Sequence, residues 1–266
     1  MNSPDLSNEP TGWPDDATRD RLIGDWWMYQ RRGGHRTSTD DLLAAWFAVV
    51  HHGDRGAPAH YVDLGCGIGS VLFQVAWRLR PLRVTGVEAQ AQSALMAQRS
   101  ASELPSPRPE ITILHQDLRS PLPEGLPPAD VVTGSPPYFP VGTGVLSPDA
   151  QRRACRFELR GGVEAYCEAA SRLLAPDGVF CLVFTARDAA RVHAAGRDAG
   201  LALIDEVPVL LREGAEAPLL AVYAFCRPGG RAPRAAHPEP LVVRDRDGAL
   251  TDGWLAVRRT LGLDAG

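Results

Sequence analysis

From residue 39 onward the chain alternates short apolar runs with longer amphipathic segments, and this alternation predicts strands and helices in turn. Predicted helices lie near residues 42–47, 70–79, 90–102, 163–174 and 187–199, and Asp40 and Asp41 precede the first of them as its N-cap. Predicted strands cover residues 61–64, 83–88, 111–114, 130–133, 179–184, 203–211 and 219–226. Strands that alternate with helices form a parallel sheet covered on both faces. We therefore predict an α/β fold with a doubly wound, mostly parallel sheet of seven strands.

The last two predicted strands are joined by residues 212–218, which are too few to form a helix and return the chain in parallel. Such a short connection predicts an antiparallel hairpin. A doubly wound, mostly parallel sheet with a C-terminal antiparallel hairpin resembles the Rossmann-like architecture of the class I methyltransferases.

The domain organisation follows from where this alternation begins and ends. Residues 1–20 are polar, with prolines at positions 4, 10 and 14, and predict a flexible tail. Residues 21–266 are expected to form a single domain. Within it, residues 21–57 precede a core sheet over residues 58–228, and residues 229–266 form a C-terminal extension.

Composition and charge narrow the class of protein. No apolar run approaches the roughly 18 residues of a membrane span. The five cysteines form no CxxC pair and the seven histidines lack metal-ligand spacing, so we expect a cytoplasmic protein with reduced thiols, no metal and no membrane partner. A formal charge of −4 argues against a large non-specific nucleic-acid surface.

A glycine-rich segment, residues 63–69, connects the strand at residues 61–64 to the next helix and reads DLGCGIG. Glycines such as Gly65 and Gly67 permit a tight turn and let a ligand lie against bare backbone at a helix N-terminus. A dinucleotide site would carry GxGxxG, but Ser70 stands at the sixth position. With Asp63 ahead of the glycines, the segment resembles the methyltransferase motif that holds the methionine end of S-adenosylmethionine.

Two further acids follow the next two strands. Glu88 ends one strand, at the place where a carboxylate would accept hydrogen bonds from both ribose hydroxyls of this cofactor. Asp117 follows the other, where methyltransferases hold the adenine amine. Glu88 alone would also fit a solvated strand end. Because the carboxyl ends of parallel strands share one edge, the three acids together predict an S-adenosylmethionine site.

The segment after the strand at residues 130–133 carries the candidate reaction chemistry. Ser135, Pro136, Pro137 and Tyr138 leave the strand rigidly, because consecutive prolines continue neither a sheet nor a helix. They resemble the Asn/Asp/Ser-Pro-Pro-Tyr motif of enzymes that methylate planar nitrogens. We expect Ser135, which also borders the cofactor, and the Pro136 carbonyl to bind the amine hydrogens while Tyr138 stacks on the acceptor.

Residues just beyond this loop are candidates for substrate contacts. Phe139 adjoins the tyrosine, and a first cluster of arginines follows where the chain has just left the predicted site; it comprises Arg152, Arg153, Arg156 and Arg160. The planar fork of arginine suits phosphate contacts. A second arginine cluster would reach the site only if the chain folds back after the last strand; it comprises Arg227, Arg231 and Arg234.

Motifs from about Trp26 to the C-terminal part of the chain resemble those of the bacterial tRNA1(Val) adenine-37 methyltransferase family. They read YQ at residues 29–30, GHRTSTDDLLA at 34–44, CRFE at 155–158 and EPLVVRDRDGALT at 239–251. In the family the first two cover the cofactor. The resemblance therefore implies Gln30, Arg36 and Thr37 as lid residues that bind the cofactor, and tRNA as the partner.

The sequence thus predicts an S-adenosylmethionine-dependent N-methyltransferase acting on the exocyclic amine of adenine in tRNA. Ser135 leaves a DNA base or another RNA base open, because adenine-modifying relatives usually have Asn or Asp there and cytosine-directed DNA enzymes commonly have Ser. A protein-glutamine or small-molecule N-methyltransferase is a further alternative. The intact Pro-Pro-Tyr loop disfavours a non-catalytic binding module, and Ser70 disfavours a dinucleotide oxidoreductase.

Overall fold

The computed structural model describes residues 9–143, 147–230 and 240–263. Its strands are β1 Ala17–Ile23, β2 Trp26–Arg31, β3 His60–Leu64, β4 Arg83–Glu88, β5 Glu110–His115, β6 Ala129–Gly134, β7 Leu174–Thr185, β8 Ala202–Leu210, β9 Leu220–Cys226 and β10 Leu241–Val242. Its α-helices are α1 Thr39–His52, α2 Ser70–Leu79, α3 Ala91–Glu103, α4 Ala150–Arg156, α5 Val163–Leu173, α6 Ala189–Asp198 and α7 Asp252–Leu261.

The main sheet has the strand order β10-β8-β9-β7-β6-β3-β4-β5. β9 lies antiparallel between β7 and β8, which confirms the predicted C-terminal hairpin, and the other neighbouring pairs are parallel. Over the described ranges the sheet has eight strands rather than seven, because the two-residue strand β10 pairs with β8. β6, β3 and β4 bring their carboxyl ends to one edge, where ligands bind in such sheets.

Helices cover both faces of this sheet. Tyr61 and Val131 belong to a core shared with α1, α2, α3 and α7, whereas Val62 and Val132 belong to the core under α5 and α6. All four side chains are fully buried. Burial of successive residues on opposite faces explains why these strands read as continuous apolar runs.

An antiparallel hairpin of β1 and β2 precedes α1. This hairpin corrects the expected flexible tail over residues 1–20, because β1 begins at Ala17; residues 1–8 lie outside the described residues. The hairpin is held partly by polar contacts, among them an ion pair of 2.8 Å between Arg31 Nε and Asp16 Oδ1. A polar strand of this kind carries little apolar pattern, so the sequence resembles a tail.

Candidate active site

The segments that follow β3, β4, β5 and β6, together with the first turn of α1, line a cavity of about 420 Å³. This volume falls within the range of about 300–1,000 Å³ that is usual for small-molecule sites. The predicted site residues that line it are Arg36, Asp63, Gly65, Gly67, Glu88, Asp117, Ser135, Pro136, Pro137, Tyr138, Phe139 and Arg156. The other predicted residues, Gln30, Thr37, Arg152 and Arg153, do not line it.

The glycine turn between β3 and α2 exposes backbone to this cavity. Gly65 and Gly67 have φ angles of 63° and 55°, in the left-handed region that favours glycine. A Cβ on Gly65 would stand 2.1 Å from Tyr166 Oη, whereas a Cβ on Gly67 would meet nothing within 4 Å. α2 begins directly after the turn without a side-chain cap. Its first N–H groups are therefore suited to bind an anionic group.

Asp63, at the end of β3, has one carboxylate oxygen engaged and one without a partner among the described residues. Thr133 Oγ1 donates to Asp63 Oδ1 at 2.6 Å, while Oδ2 is buried and unpaired. The pKa of Asp63 is raised to about 7, chiefly by burial; the Thr133 hydrogen bond opposes this rise, and the charges of Asp41 and Glu88 add to it. The ionised form of Asp63 is therefore disfavoured, and a cation bound nearby would stabilise it.

Glu88 ties the end of β4 to the glycine turn. Its Oε2 accepts a hydrogen bond from Gly67 N at 2.8 Å, and its Oε1 accepts one from Gln90 N at 2.6 Å. Burial raises the pKa of Glu88, although these two backbone N–H groups oppose the shift. Each carboxylate oxygen has a second lone pair for a further donor.

Asp117 lines the cavity just after β5 and is bound by Arg119. Arg119 Nη2 donates to Oδ2 at 2.7 Å, and the Arg119 backbone N donates to Oδ1 at 2.9 Å. Burial alone would raise the pKa of Asp117, but these hydrogen bonds outweigh it and the pKa is lowered. Asp117 is therefore an ionised acceptor that already has one partner.

The Ser135–Tyr138 loop forms another part of the cavity wall. Ser135 Oγ is buried and has no partner among the described residues, and Tyr138 Oη donates to Asp40 Oδ2 at 2.6 Å. Beyond the loop, Phe139 N donates to Arg156 O at 3.0 Å. This hydrogen bond fixes the backbone where the loop ends. Phe139 remains 37% exposed beside the cavity.

The predicted lid residues form a hydrogen-bonded turn in front of α1. Gln30 Oε1 accepts a hydrogen bond from Thr37 N at 2.8 Å, and Gln30 Nε2 donates to Asp20 Oδ2 at 3.2 Å. Arg36 Nη2 donates to the same Asp20 oxygen at 2.9 Å. Of the three predicted residues only Arg36 lines the cavity, so Gln30 and Thr37 hold the backbone of the turn.

The arginines of the first cluster lie on or just after α4, and Arg160 lines the cavity. Arg152 Nε donates to Gly34 O at 3.1 Å and Arg153 Nη1 to Ser147 O at 3.2 Å. Arg156 is exposed and lines the cavity.

The second arginine cluster does not join the first. Arg227 donates to the carbonyls of Ser171 and Leu174, at the start of β7 and thus at the opposite edge of the sheet. Arg231 and Arg234 lie outside the described residues. The part of this cluster that the structure describes therefore lies away from the cavity.

Several residues of the cavity were missed by the sequence analysis, which expected Asp40 and Asp41 only to begin a helix. Asp41 Oδ2 accepts from Ser38 N and Ser70 Oγ, both at 2.9 Å. Tyr166 of α5 also lines the cavity. The position of α1 in the chain was the available signal: a helix that leads into β3 must begin at the carboxyl edge of the sheet.

Across residues 9–143, 147–230 and 240–263, no three His, Cys, Asp or Glu side chains are grouped to hold a metal ion. No helix in those ranges is long and apolar enough to cross a membrane. None of the five cysteines forms a disulfide.

Comparison with known proteins relates half of the chain to tRNA-modifying enzymes; no family model matches it. The chain is 29% identical over 143 residues to the tRNA1(Val) (adenine(37)-N6)-methyltransferase of Yersinia enterocolitica, covering 53% of each chain. It is 31% identical over 144 residues to the enzyme of the same name from Yersinia pestis strain Pestoides F, covering 53% of this chain and 54% of the relative. The chain thus spans about half the length of the curated relatives it matches.

Solved structures show the same fold. A predicted O-methyltransferase from Agrobacterium tumefaciens superposes with a TM-score of 0.59 at 23% identity, covering 85% of this chain and 98% of that one. A class I S-adenosylmethionine-dependent methyltransferase from Listeria monocytogenes superposes with a TM-score of 0.55 at 17% identity, covering 88% and 72%. The chain therefore has the class I methyltransferase fold, and about half of it is similar in sequence to tRNA1(Val) (adenine(37)-N6)-methyltransferases.

Proposed function

We propose that this chain is an S-adenosylmethionine-dependent N-methyltransferase that methylates the exocyclic amine of adenine in RNA, with tRNA as substrate, in the cytoplasm. One observation carries the proposal: Asp63 Oδ2 and Ser135 Oγ are buried, unpartnered among the described residues and in the same cavity. Asp63 lies at the end of β3 and Ser135 directly follows the neighbouring strand β6, since Leu64 pairs with Gly134. An unsatisfied buried polar group costs about 1–3 kcal/mol, so ligand groups that bind both atoms would stabilise the site.

The residues present fit the cofactor, which supplies an electrophilic methyl group when bound. Asp63 Oδ2 would accept hydrogen bonds from its amino group, and the first N–H groups of α2 would bind its carboxylate. Glu88 would accept hydrogen bonds from the ribose hydroxyls with its remaining lone pairs. Asp117 would bind the adenine amine while it stays paired with Arg119, and Arg36 would close the mouth of the site.

The acceptor amine would bind at the Ser135–Tyr138 loop. The lone pair of an exocyclic amine is delocalised into its ring, so the nitrogen is a poor nucleophile. Ser135 Oγ and the Pro136 carbonyl oxygen would each accept one amine hydrogen and so favour a pyramidal nitrogen. Tyr138 would stack on the base, as aromatic residues do on unpaired bases. Most of the rate enhancement then comes from positioning.

Two features favour RNA over the other candidate substrates: the surface beside the cavity and the sequence similarity to tRNA methyltransferases. Phe139 is exposed directly after Tyr138 and would stack on a neighbouring nucleotide. Arg152, Arg153 and Arg156 would bind the phosphates on either side. A net charge of −4 is compatible with this arrangement because only a local basic surface is required.

Transfer of labelled methyl from S-adenosylmethionine to total RNA, DNA and protein, followed by nucleoside mass spectrometry, tests the proposal. We expect N6-methyladenosine in the tRNA fraction, and no label with Tyr138→Ala. Label in DNA or in protein would redirect the proposal to the corresponding substrate. The absence of label in all three fractions, with cofactor bound, would overturn it.

A further inference from the structure

Asp40 lines the cavity and binds the tyrosine of the reaction loop, yet the proposed function gives it no role. Its Oδ2 accepts a hydrogen bond of 2.6 Å from Tyr138 Oη. Burial, and after it the negative charge of Asp40, raise the pKa of Tyr138 well above its usual range. The phenol therefore stays protonated and donates a hydrogen bond to Asp40. This bond joins the first turn of α1 to the loop that follows β6.

The ring of Tyr138 is held at a second place. Its centroid lies 5.4 Å from that of Phe184 with an interplanar angle of 87°, an edge-to-face contact. Pro137 restricts the backbone immediately before it. A tyrosine side chain has two main torsion angles. The hydrogen bond at Oη holds the tip and so fixes the first, and the contact of the ring with Phe184 fixes the second, so the plane of the ring depends on both.

Asp40 is itself well anchored. It lies in the first turn of the 14-residue helix α1, which begins with a capping box in which the Ser38 backbone N donates to Asp41 Oδ2 at 2.9 Å. Helix N-termini stabilise carboxylates through the helix dipole. Asp40 is therefore a fixed acceptor on a rigid element.

We propose that Asp40 is a positioning residue that sets the plane of the Tyr138 ring against which the acceptor base stacks. The inference rests on the proposed function and deepens it. Ser135 and Pro136 would orient the amine, while α1, through Asp40, would orient the base plane. Productive geometry must hold within about 10–20°, so a ring free to rotate lowers the fraction of aligned complexes.

A double-mutant cycle on kcat tests whether Asp40 acts through the tyrosine hydroxyl. Asp40→Ala and Tyr138→Phe should each lower kcat by about ten- to a hundredfold, as expected for a charge-assisted hydrogen bond. The double variant should fall no further than either single variant, because both changes remove the same contact. A further loss when Asp40→Ala is added to the Tyr138→Phe variant would mean that Asp40 acts on the acceptor directly, and would overturn the proposal.

The conservative variant and a matched control separate positioning from general damage. Asp40→Asn keeps an acceptor oxygen and should recover most of the kcat lost in Asp40→Ala. Asp252→Asn changes another acid in the first turn of a helix, α7, and should leave kcat unchanged. Failure of Asp40→Asn to recover activity would contradict a positioning role. Calorimetry with S-adenosylhomocysteine should give wild-type affinity for every variant.

A readout that does not need turnover distinguishes this inference from the proposed function. The chain has five tyrosines, and fluorotyrosine labelling with Tyr138→Phe as the assignment control identifies the fluorine resonance of Tyr138. Asp40→Ala should shift or broaden this resonance, and Asp252→Asn should not. An unchanged resonance would overturn the positioning contact. If the resonance changes in Asp40→Ala but the wild-type protein methylates no substrate, only the proposed function is contradicted.

Discussion

Thr133 and Asp63 are paired residues on neighbouring strands, and the Thr133 hydroxyl donates to Asp63 Oδ1 at 2.6 Å. Tyr61 Oη lies 2.7 Å from the same hydroxyl. The chain of hydrogen bonds fixes the carboxyl group while Oδ2 stays without a partner among the described residues. Two strands thereby hold an acceptor in place before any ligand binds.

Cofactor binding should depend on pH through Asp63. Its pKa in the ligand-free chain is raised to about 7, so the carboxyl group is largely protonated below that pH. A cationic amino group favours the ionised form. Affinity for S-adenosylmethionine should therefore rise from about pH 5.5 to about pH 7, by up to about tenfold per unit. Calorimetry across this range checks the slope, which Asp63→Asn should abolish along with much of the affinity.

The same group should make the ligand-free chain less stable as pH rises. A folded-state pKa of about 7 exceeds the ordinary value of 3.8, so the folded chain binds the proton more tightly than the unfolded chain. This contribution is complete below about pH 4 and is lost as pH rises through about 7. Thermal unfolding at about pH 5 and pH 7 should show a smaller loss for Asp63→Asn than for the wild type. Equal losses would show that Asp63 does not titrate in this window.

Glu88→Ala should weaken S-adenosylmethionine binding by about 1.5–3 kcal/mol, the usual contribution of a hydrogen bond to a charged group. The glycine turn should also loosen, because Gly67 N and Gln90 N lose their acceptor. Glu110→Ala is a suitable control, since this exposed acid begins β5 at the opposite edge of the sheet. If calorimetry gives Glu88→Ala the same affinity for S-adenosylmethionine as the wild type, Glu88 does not bind the cofactor.

Alanine at the two glycines should have different effects. Gly65→Ala places a Cβ against Tyr166 Oη in the left-handed region, so both the melting temperature and the cofactor affinity should fall. Gly67→Ala also has a positive φ but enters open space, so its loss of stability should be smaller than that of Gly65→Ala. Its cofactor affinity should nevertheless fall, because the Cβ occupies the cavity wall. Thermal unfolding and calorimetry on both variants separate the two effects.

Arg156 should contribute to RNA binding through phosphate. Arg156→Ala should weaken binding and reduce the slope of log K against log salt by about one unit, and replacing Arg152 and Arg153 together should reduce it by about two. Arg83→Ala is the matched control, because this exposed arginine begins β4 at the opposite edge of the sheet. Cofactor affinity should not change. A wild-type salt slope in the Arg156 variant would exclude it from the RNA surface.

The central strands and the cofactor motifs were predictable because each leaves a local pattern. Val62 and Val132 lie in strands that are apolar on both faces, and residues 63–69 combine an acid with closely spaced glycines. α4 left no such pattern. It is a seven-residue helix in which only Gln151 is buried, and Asp149 begins it by accepting a hydrogen bond from Arg152 N. Short elements held by polar contacts carry no apolar period.

The contact between Asp40 and Tyr138 could not be predicted from the sequence for a different reason. Each residue was noted separately, one at a helix start and the other in the reaction loop. Their contact depends on how α1 packs across β6 and β7, and that packing is decided by the shapes of many buried side chains. Pairwise contacts between distant segments leave no trace in a single sequence.

The packing of α7 has a consequence for how the protein is made. Trp254 and Leu261 of α7 join the same core as Leu43 of α1, and Arg78 of α2 donates to Thr260 O at 2.7 Å. The residues that line the cavity lie between His35 and Tyr166, so all of them leave the ribosome well before α7. Until α7 emerges, the part of α1 that packs against α7 has no cover. We therefore expect the nascent chain to remain incompletely packed, and to need protection from aggregation, until α7 has left the ribosome.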